Sequence, residues 1–145
     1  MTLAADPVRT AAPARWRRMV PPAAVVGGLA AASLALHLRD PHEQGSWGLC
    51  PSAAVGISCP GCGGLRAVND LSNLQIGAAA SSNLLFVASL PFVLYALARW
   101  THGRWTGRPW AVPAERTAAG TWVVLVVMAL FAVVRNTPAG SWLAP

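Results

Sequence analysis

The chain contains no lysine and only five acidic residues, so its formal charge of +6 is carried by arginine alone. Charged residues make up 11% of its 145 positions, against about 25% in an ordinary soluble domain. No Ser, His and Asp set, pair of carboxylates, phosphate-binding loop or Gly-rich dinucleotide fingerprint is visible. Of the acids, Asp6, Asp40, Glu43 and Glu115 fall in tails or loops. These absences argue against an enzyme built on carboxylate chemistry. Three cysteines is an odd number, so one thiol is left over from any pairing within the chain.

What is present is apolar. More than half of the residues are hydrophobic, 54%, and they gather into uncharged runs. Residues 20–38, 76–98 and 118–134 are each long enough, at 1.5 Å per residue, to cross all or nearly all of a hydrocarbon core about 30 Å thick. The expected fold is therefore an all-α membrane protein with three transmembrane helices. The arginines flank these runs and form no continuous face, as membrane topology requires and nucleic acid binding does not. The lipid bilayer is the expected partner, and nucleic acid is not.

Taken in order, residues 1–18 read as a disordered basic tail. Pro21 and Pro22 suit the first turn of the first span. A cleaved signal peptide is the alternative for that span, with Ala31, Ala32 and Ser33 as small residues for cleavage. Gly27 and Gly28 in the same run permit close helix packing in a homo-oligomer. In the second run Asn83 stands inside an uncharged span as a polar contact to another helix, and Pro91 marks a place for a kink. Residues 100–116 read as an interfacial loop with arginine and tryptophan anchors, and residues 137–145 as a second tail. A single membrane domain, 19–136, contains all three spans.

Every cysteine lies between Cys50 and Cys62, in an expected outer loop and short amphipathic helix over residues 45–74. Reading a helix from Cys62 onwards, at 100° per residue with Leu65 at zero, places Asn69, Cys62, Asn73, Arg66 and Asp70 on one arc between about 40° and 140°. Leu65, Val68, Leu71 and Leu74 fall outside that arc. Positive charge concentrates before the first span and between the second and third, while the first connection is nearly balanced. The positive-inside rule then puts the N-terminus in the cytoplasm and the cysteine loop and C-terminus outside a plasma membrane. Arg66 and Arg135 reach the same face, with Asn83 about 8 to 10 Å below it.

Three chemistries fit the cysteines. Cys50, Cys59 and Cys62 offer three thiolates to a zinc ion, with His42 or His37 as a fourth ligand. Cys59 and Cys62 form a C-x-x-C pair for thiol–disulfide exchange, although no strand-to-helix thioredoxin pattern surrounds them. A disulfide from Cys50 to either of the others closes a loop of about ten residues and stabilises a structural cap, with Pro60, Gly61, Gly63 and Gly64 serving the turn. In that case Arg66 and Asp70 form a local ion pair. Arg66 and Arg135 near Asn83 also suggest a clamp for a phosphate or carboxylate, against the plainer reading that each snorkels to headgroups.

Cys50-Pro51, the run from Cys59 to Ala67 (C-P-G-C-G-G-L-R-A), Asn83 within a span and Arg135-Asn136 after the last one together make a pattern. It resembles the family of small bacterial membrane proteins known as domain of unknown function 2752. The resemblance covers roughly residues 50–136 and implies a bacterial membrane protein of uncharacterised activity. Proteins of this kind often carry a Gly-Asp pair where this chain has Leu74 and Gln75, and a proline where it has Leu84. The reading favoured by the sequence is a non-catalytic accessory or interaction protein with a cysteine-stabilised outer cap, partnered by another membrane protein or by its own copies. The alternative is a thiol-redox or metal protein using the C-P-G-C motif.

Overall fold

The computed structural model describes residues 14–42, 52, 55–108 and 110–143. Four α-helices account for most of them: α1 (Arg15–Leu38), α2 (Gly64–Ser72), α3 (Ile76–Thr106) and α4 (Ala114–Arg135), followed by a 3-10 segment, Pro138–Leu143. Among the described residues there is no strand. α1, α3 and α4 are each long and apolar enough to cross a membrane, so this is the all-α, three-span architecture that the apolar runs predict.

The helices outrun those apolar stretches. α1 begins at Arg15, so Arg15 to Arg18 are helical where a disordered tail was expected; residues 1–13 lie outside the described residues. Pro21 and Pro22 consequently sit inside the helix and not in its first turn. Each removes one amide donor, leaving the carbonyls of Arg17 and Arg18 without their usual helical partners. α3 continues through Arg99, Trp100 and Arg104 to Thr106, and Gly107 ends it in the left-handed conformation at φ 75°. The loop between the last two spans is therefore shorter than the 100–116 expected.

α1 and α3 run antiparallel. At one end the Arg15 guanidinium stacks over Trp105, 4.8 Å from the ring centre. At the other end α2 bridges them, with Asn69 Nδ2 donating to the Leu36 carbonyl at 2.7 Å and the His37 ring bonded to the Ser72 hydroxyl at 3.0 Å. α4 stands apart. No residue in its most apolar stretch is buried, and Arg135, at its last position, is its buried residue.

α2 is amphipathic in the inverted sense. Its buried residues are Ala67, Asn69 and Asp70, while Leu65 and Leu74 point outward. In water that arrangement would be unstable, because it hides polar groups and exposes apolar ones. Against lipid the preference reverses: hydrocarbon solvates leucine, and polar side chains find partners only inside the protein. Of the polar arc, Asn69 and Asp70 thus face the bundle. Cys62 is not on it, because Gly63 takes φ 78° at the N-cap and the helix starts at Gly64.

The break in the second span falls at Asn83, whose φ of −159° and ψ of 92° interrupt the helix. Asn83 Oδ1 accepts the Phe86 amide at 2.9 Å, the bond by which an N-cap residue starts a new helix. α3 is in effect two helices joined at an asparagine, with 84 as the first residue of the second.

Candidate functional site

The site is a turn. Ser58 to Gly63 carry little regular structure of their own, so their backbone polar groups need partners from elsewhere. Local bonds supply a few: the Cys62 amide donates to the Cys59 carbonyl at 3.1 Å and the Gly64 amide to the Gly61 carbonyl at 3.1 Å. The rest come from two membrane helices.

Arg135 is 2% exposed. Four of its five N–H donors go to main-chain oxygens: Nη1 donates to the carbonyls of Cys59 at 3.0 Å and Cys62 at 2.9 Å, Nη2 to Ser82 at 3.2 Å, and Nε to Leu143 at 2.6 Å. A planar fork of fixed donors is what such divergent carbonyls require. Gly140 lets the 3-10 segment fold back closely enough to bring Leu143 there, since a Cβ on it would collide with the Val134 carbonyl. Asn83, 1% exposed, adds donors from Nδ2 to the Pro60 carbonyl at 3.0 Å and the Cys62 carbonyl at 3.1 Å. The Cys62 oxygen is thus held by both spans. Asn136 pairs with Ser58 at both ends of its amide, accepting from the backbone N–H and donating to the carbonyl, each at 2.9 Å. One dipeptide, Arg135-Asn136, grips the turn from Ser58 to Cys62.

This grip brings the thiols together. Cys59 Sγ and Cys62 Sγ are 2.7 Å apart, inside ordinary sulfur contact and beyond the 2.03–2.05 Å of a disulfide bond. Cys62 Sγ also accepts the Cys59 amide at 3.3 Å and lies 3.9 Å from the Ser52 hydroxyl. Cys50, the third thiol of the sequence reading, lies outside the described residues. Among the described residues no three metal-ligating side chains converge. The two histidines considered as zinc ligands are engaged elsewhere, His37 with Ser72 and His42 with Asp70.

A second polar cluster abuts the first. Asp70 is buried, with Oδ1 bonded to His42 Nε2 at 3.0 Å and Oδ2 accepting from the Ser82 hydroxyl at 2.7 Å. Ser82 joins the clusters, because its carbonyl serves Arg135 while its hydroxyl serves Asp70. The ion pair expected between Arg66 and Asp70 does not form: Asp70 turns into the bundle, and Arg66, half-buried one turn earlier, has no ion-pair partner among the described residues. Of the clamp expected from Arg66 and Arg135, the Arg135 half is engaged with the turn, each of its three nitrogens donating to a carbonyl. Asn83 lies at the level of Arg135 and not below it, as both reach the same oxygen. Asn73 closes α2, its Nδ2 bonded to the Asn69 carbonyl at 3.0 Å.

Sequence reasoning missed Ser58 and Ser82. Ser58 acts through its backbone, which no side-chain pattern reveals. Ser82 was within reach: Ser81-Ser82-Asn83 is a polar triplet inside an otherwise apolar run, and its position beside Asn83 was the available signal.

No curated protein matches the chain, and no solved structure does. The cysteine turn, α2 and most of α3 do have relatives. Residues 50–97 match the family described as Protein of unknown function (DUF2752).

Proposed function

We propose that this is a bacterial plasma-membrane protein whose Cys59 and Cys62 exchange with the disulfide of a partner membrane protein on the outer side of the membrane. The observation that carries this reading is the 2.7 Å approach of the two sulfurs on a turn whose backbone is fastened by Arg135, Asn83 and Asn136. Fastening from two spans keeps the sulfurs adjacent in both oxidation states, so little reorganisation accompanies the chemistry. One cysteine, as thiolate, attacks the partner's disulfide and forms a mixed disulfide, releasing one partner thiolate. The second cysteine then attacks the mixed disulfide, closes the Cys59–Cys62 bond and releases the other. Two electrons pass to the partner, and the two protons lost from this chain balance those taken up by the partner's thiolates. Charge asymmetry between the connections supports the outward orientation, where disulfides persist. The inverted polarity of α2 supports a turn that dips back among the spans, in place of a cap standing in water.

A second reading is the static one, a non-catalytic accessory protein with a cysteine-stabilised cap. The absence of a strand among the described residues favours it, since exchange pairs are usually set in a strand-to-helix unit.

Mass spectrometry of the intact protein across a graded thiol redox buffer separates the two. A single two-electron transition, two protons in mass, that disappears in both Cys59→Ser and Cys62→Ser supports exchange. A disulfide that resists reduction supports the static cap. Three reduced, unreactive thiols, or a bound metal, would overturn the exchange reading.

A further inference from the structure

The end of the bundle opposite the cysteine turn holds a cavity of about 360 Å³ lined by Arg18, Trp100, Gly103, Arg104, Gly107 and Trp110. We propose that it binds a phosphate group, with Arg18 and Arg104 as its cationic ligands.

The loop after α3 builds this cavity. Gly107, at φ 75°, turns the chain out of α3, and the Arg108 carbonyl then passes so close to Gly103 that a Cβ there would meet it at 2.7 Å. Trp110 is brought back beside Trp100 as a wall. Arg18 enters from α1 and places its Nη1 against Gly107, in the space that any side chain at 107 would need. Its Nε is buried and has no hydrogen-bond partner. A buried donor left unpaired is costly, and native proteins rarely keep one without a ligand or water to satisfy it. Arg104 lies over the Trp100 ring, 5.8 Å from its centre. Among the described residues neither arginine has a carboxylate within ion-pair distance. Two guanidinium groups without a carboxylate at one cavity call for an anion whose oxygens can take several bonds at once, and phosphate is the oxyanion that guanidinium forks fit best. Indole walls suit the level at which headgroups meet hydrocarbon. The volume exceeds that of a phosphate ion and leaves room for the glycerol part of an anionic lipid headgroup.

Two sources share this chemistry, a lipid phosphodiester and free phosphate, and one experiment distinguishes them. The full chain is reconstituted in nanodiscs of phosphatidylcholine with one-fifth phosphatidylglycerol, released into detergent and examined by native mass spectrometry, with and without millimolar inorganic phosphate. Wild type is expected to retain one phosphatidylglycerol per chain. Retention should fall at least fivefold in Arg18→Gln and in Gly107→Ala, which displaces Arg18 without changing charge. It should be unchanged in Arg116→Gln, which removes one exposed charge outside the cavity. Lipid that survives added phosphate identifies the headgroup as ligand. A bound phosphate that displaces lipid, and is lost in the same two variants, identifies the free anion. Melting temperatures of the variants in detergent identify any loss due to misfolding, in which case Arg18→Lys, which keeps the charge but loses the fork, must show at least a threefold loss. Equal retention in wild type and Arg18→Gln, equal loss in Arg116→Gln, or no bound lipid or phosphate in wild type would overturn the proposal.

Discussion

Replacing Leu74 by glycine should stabilise the protein, although Leu74 looks like an ordinary apolar residue. α2 ends with the Gln75 amide donating to the Asp70 carbonyl at 2.8 Å and the Leu74 amide to the Leu71 carbonyl at 3.0 Å. That pair of bonds is a Schellman ending, which needs a left-handed residue at position 74. Leu74 supplies it at φ 60°, where no other non-glycine described residue goes. A side chain in that conformation costs about 1–2 kcal/mol. Glycine removes the cost but frees the unfolded chain, which offsets about 0.4–1 kcal/mol. Leu74 is 87% exposed, so almost no packing is lost, and the net gain is about 0.5–1 kcal/mol. Gln75, next in line, is the N-cap of α3 and makes no capping bond with its side chain. Aspartate there adds about 1 kcal/mol. The double variant Leu74→Gly, Gln75→Asp should therefore gain about 1.5–2 kcal/mol, a 10- to 30-fold shift in the folding equilibrium at about 1.4 kcal/mol per decade. Unfolding in mixed micelles of dodecylmaltoside and SDS, followed by tryptophan fluorescence, measures it. Leu74→Ala keeps the Cβ and should stay within about 0.5 kcal/mol of wild type. If alanine stabilises as much as glycine, or if glycine destabilises, the backbone argument is refuted.

Arg135→Met should destabilise by more than about 3 kcal/mol, since it removes four hydrogen bonds to the carbonyls of Cys59, Cys62, Ser82 and Leu143 from a buried site; Arg135→Lys should not restore stability in the same micelle assay, because an ammonium lacks the fork. Asn83→Ala removes two donors from the turn and the cap of the second half of α3, so a loss of about 2–4 kcal/mol should accompany faster alkylation of Cys59 and Cys62 by maleimide. Leu84→Pro should stay within about 1 kcal/mol of wild type, because 84 opens a helix and proline suits that position, whereas Val87→Pro should cost about 3 kcal/mol or more.

The family-like residues and the backbone explain one another. At 74, 75 and 84 the resembling proteins often carry glycine, aspartate and proline, and the structure has there a left-handed residue, an uncapped helix start and a first helical position. The spans were legible because hydrophobic runs need little context. Asn83, Arg135 and Asn136 were legible as a set, but their common target was not, since all three act on main-chain oxygens and amides that carry no sequence mark. Helical periodicity correctly grouped Asn69 and Asp70 on one arc. It misplaced Cys62, because one left-handed glycine at 63 moved the helix start, and it said nothing about whether that arc faced water or protein. Nearness in sequence suggested Arg66 for Asp70, whereas tertiary contacts assigned His42 and Ser82.

α4 also bears on how the molecule is put together. A chain made from its N-terminus completes α1, α2 and α3 before Arg135 exists. Until then the carbonyls of Cys59, Cys62 and Ser82 lack the bonds that Arg135 supplies, and the cysteine turn is held by Asn83 and its own amides. α4 therefore acts as a bolt slid home after the other three helices. A chain cut short anywhere before Arg135 leaves the lock open, so the thiol pair is set in place only once α4 is present.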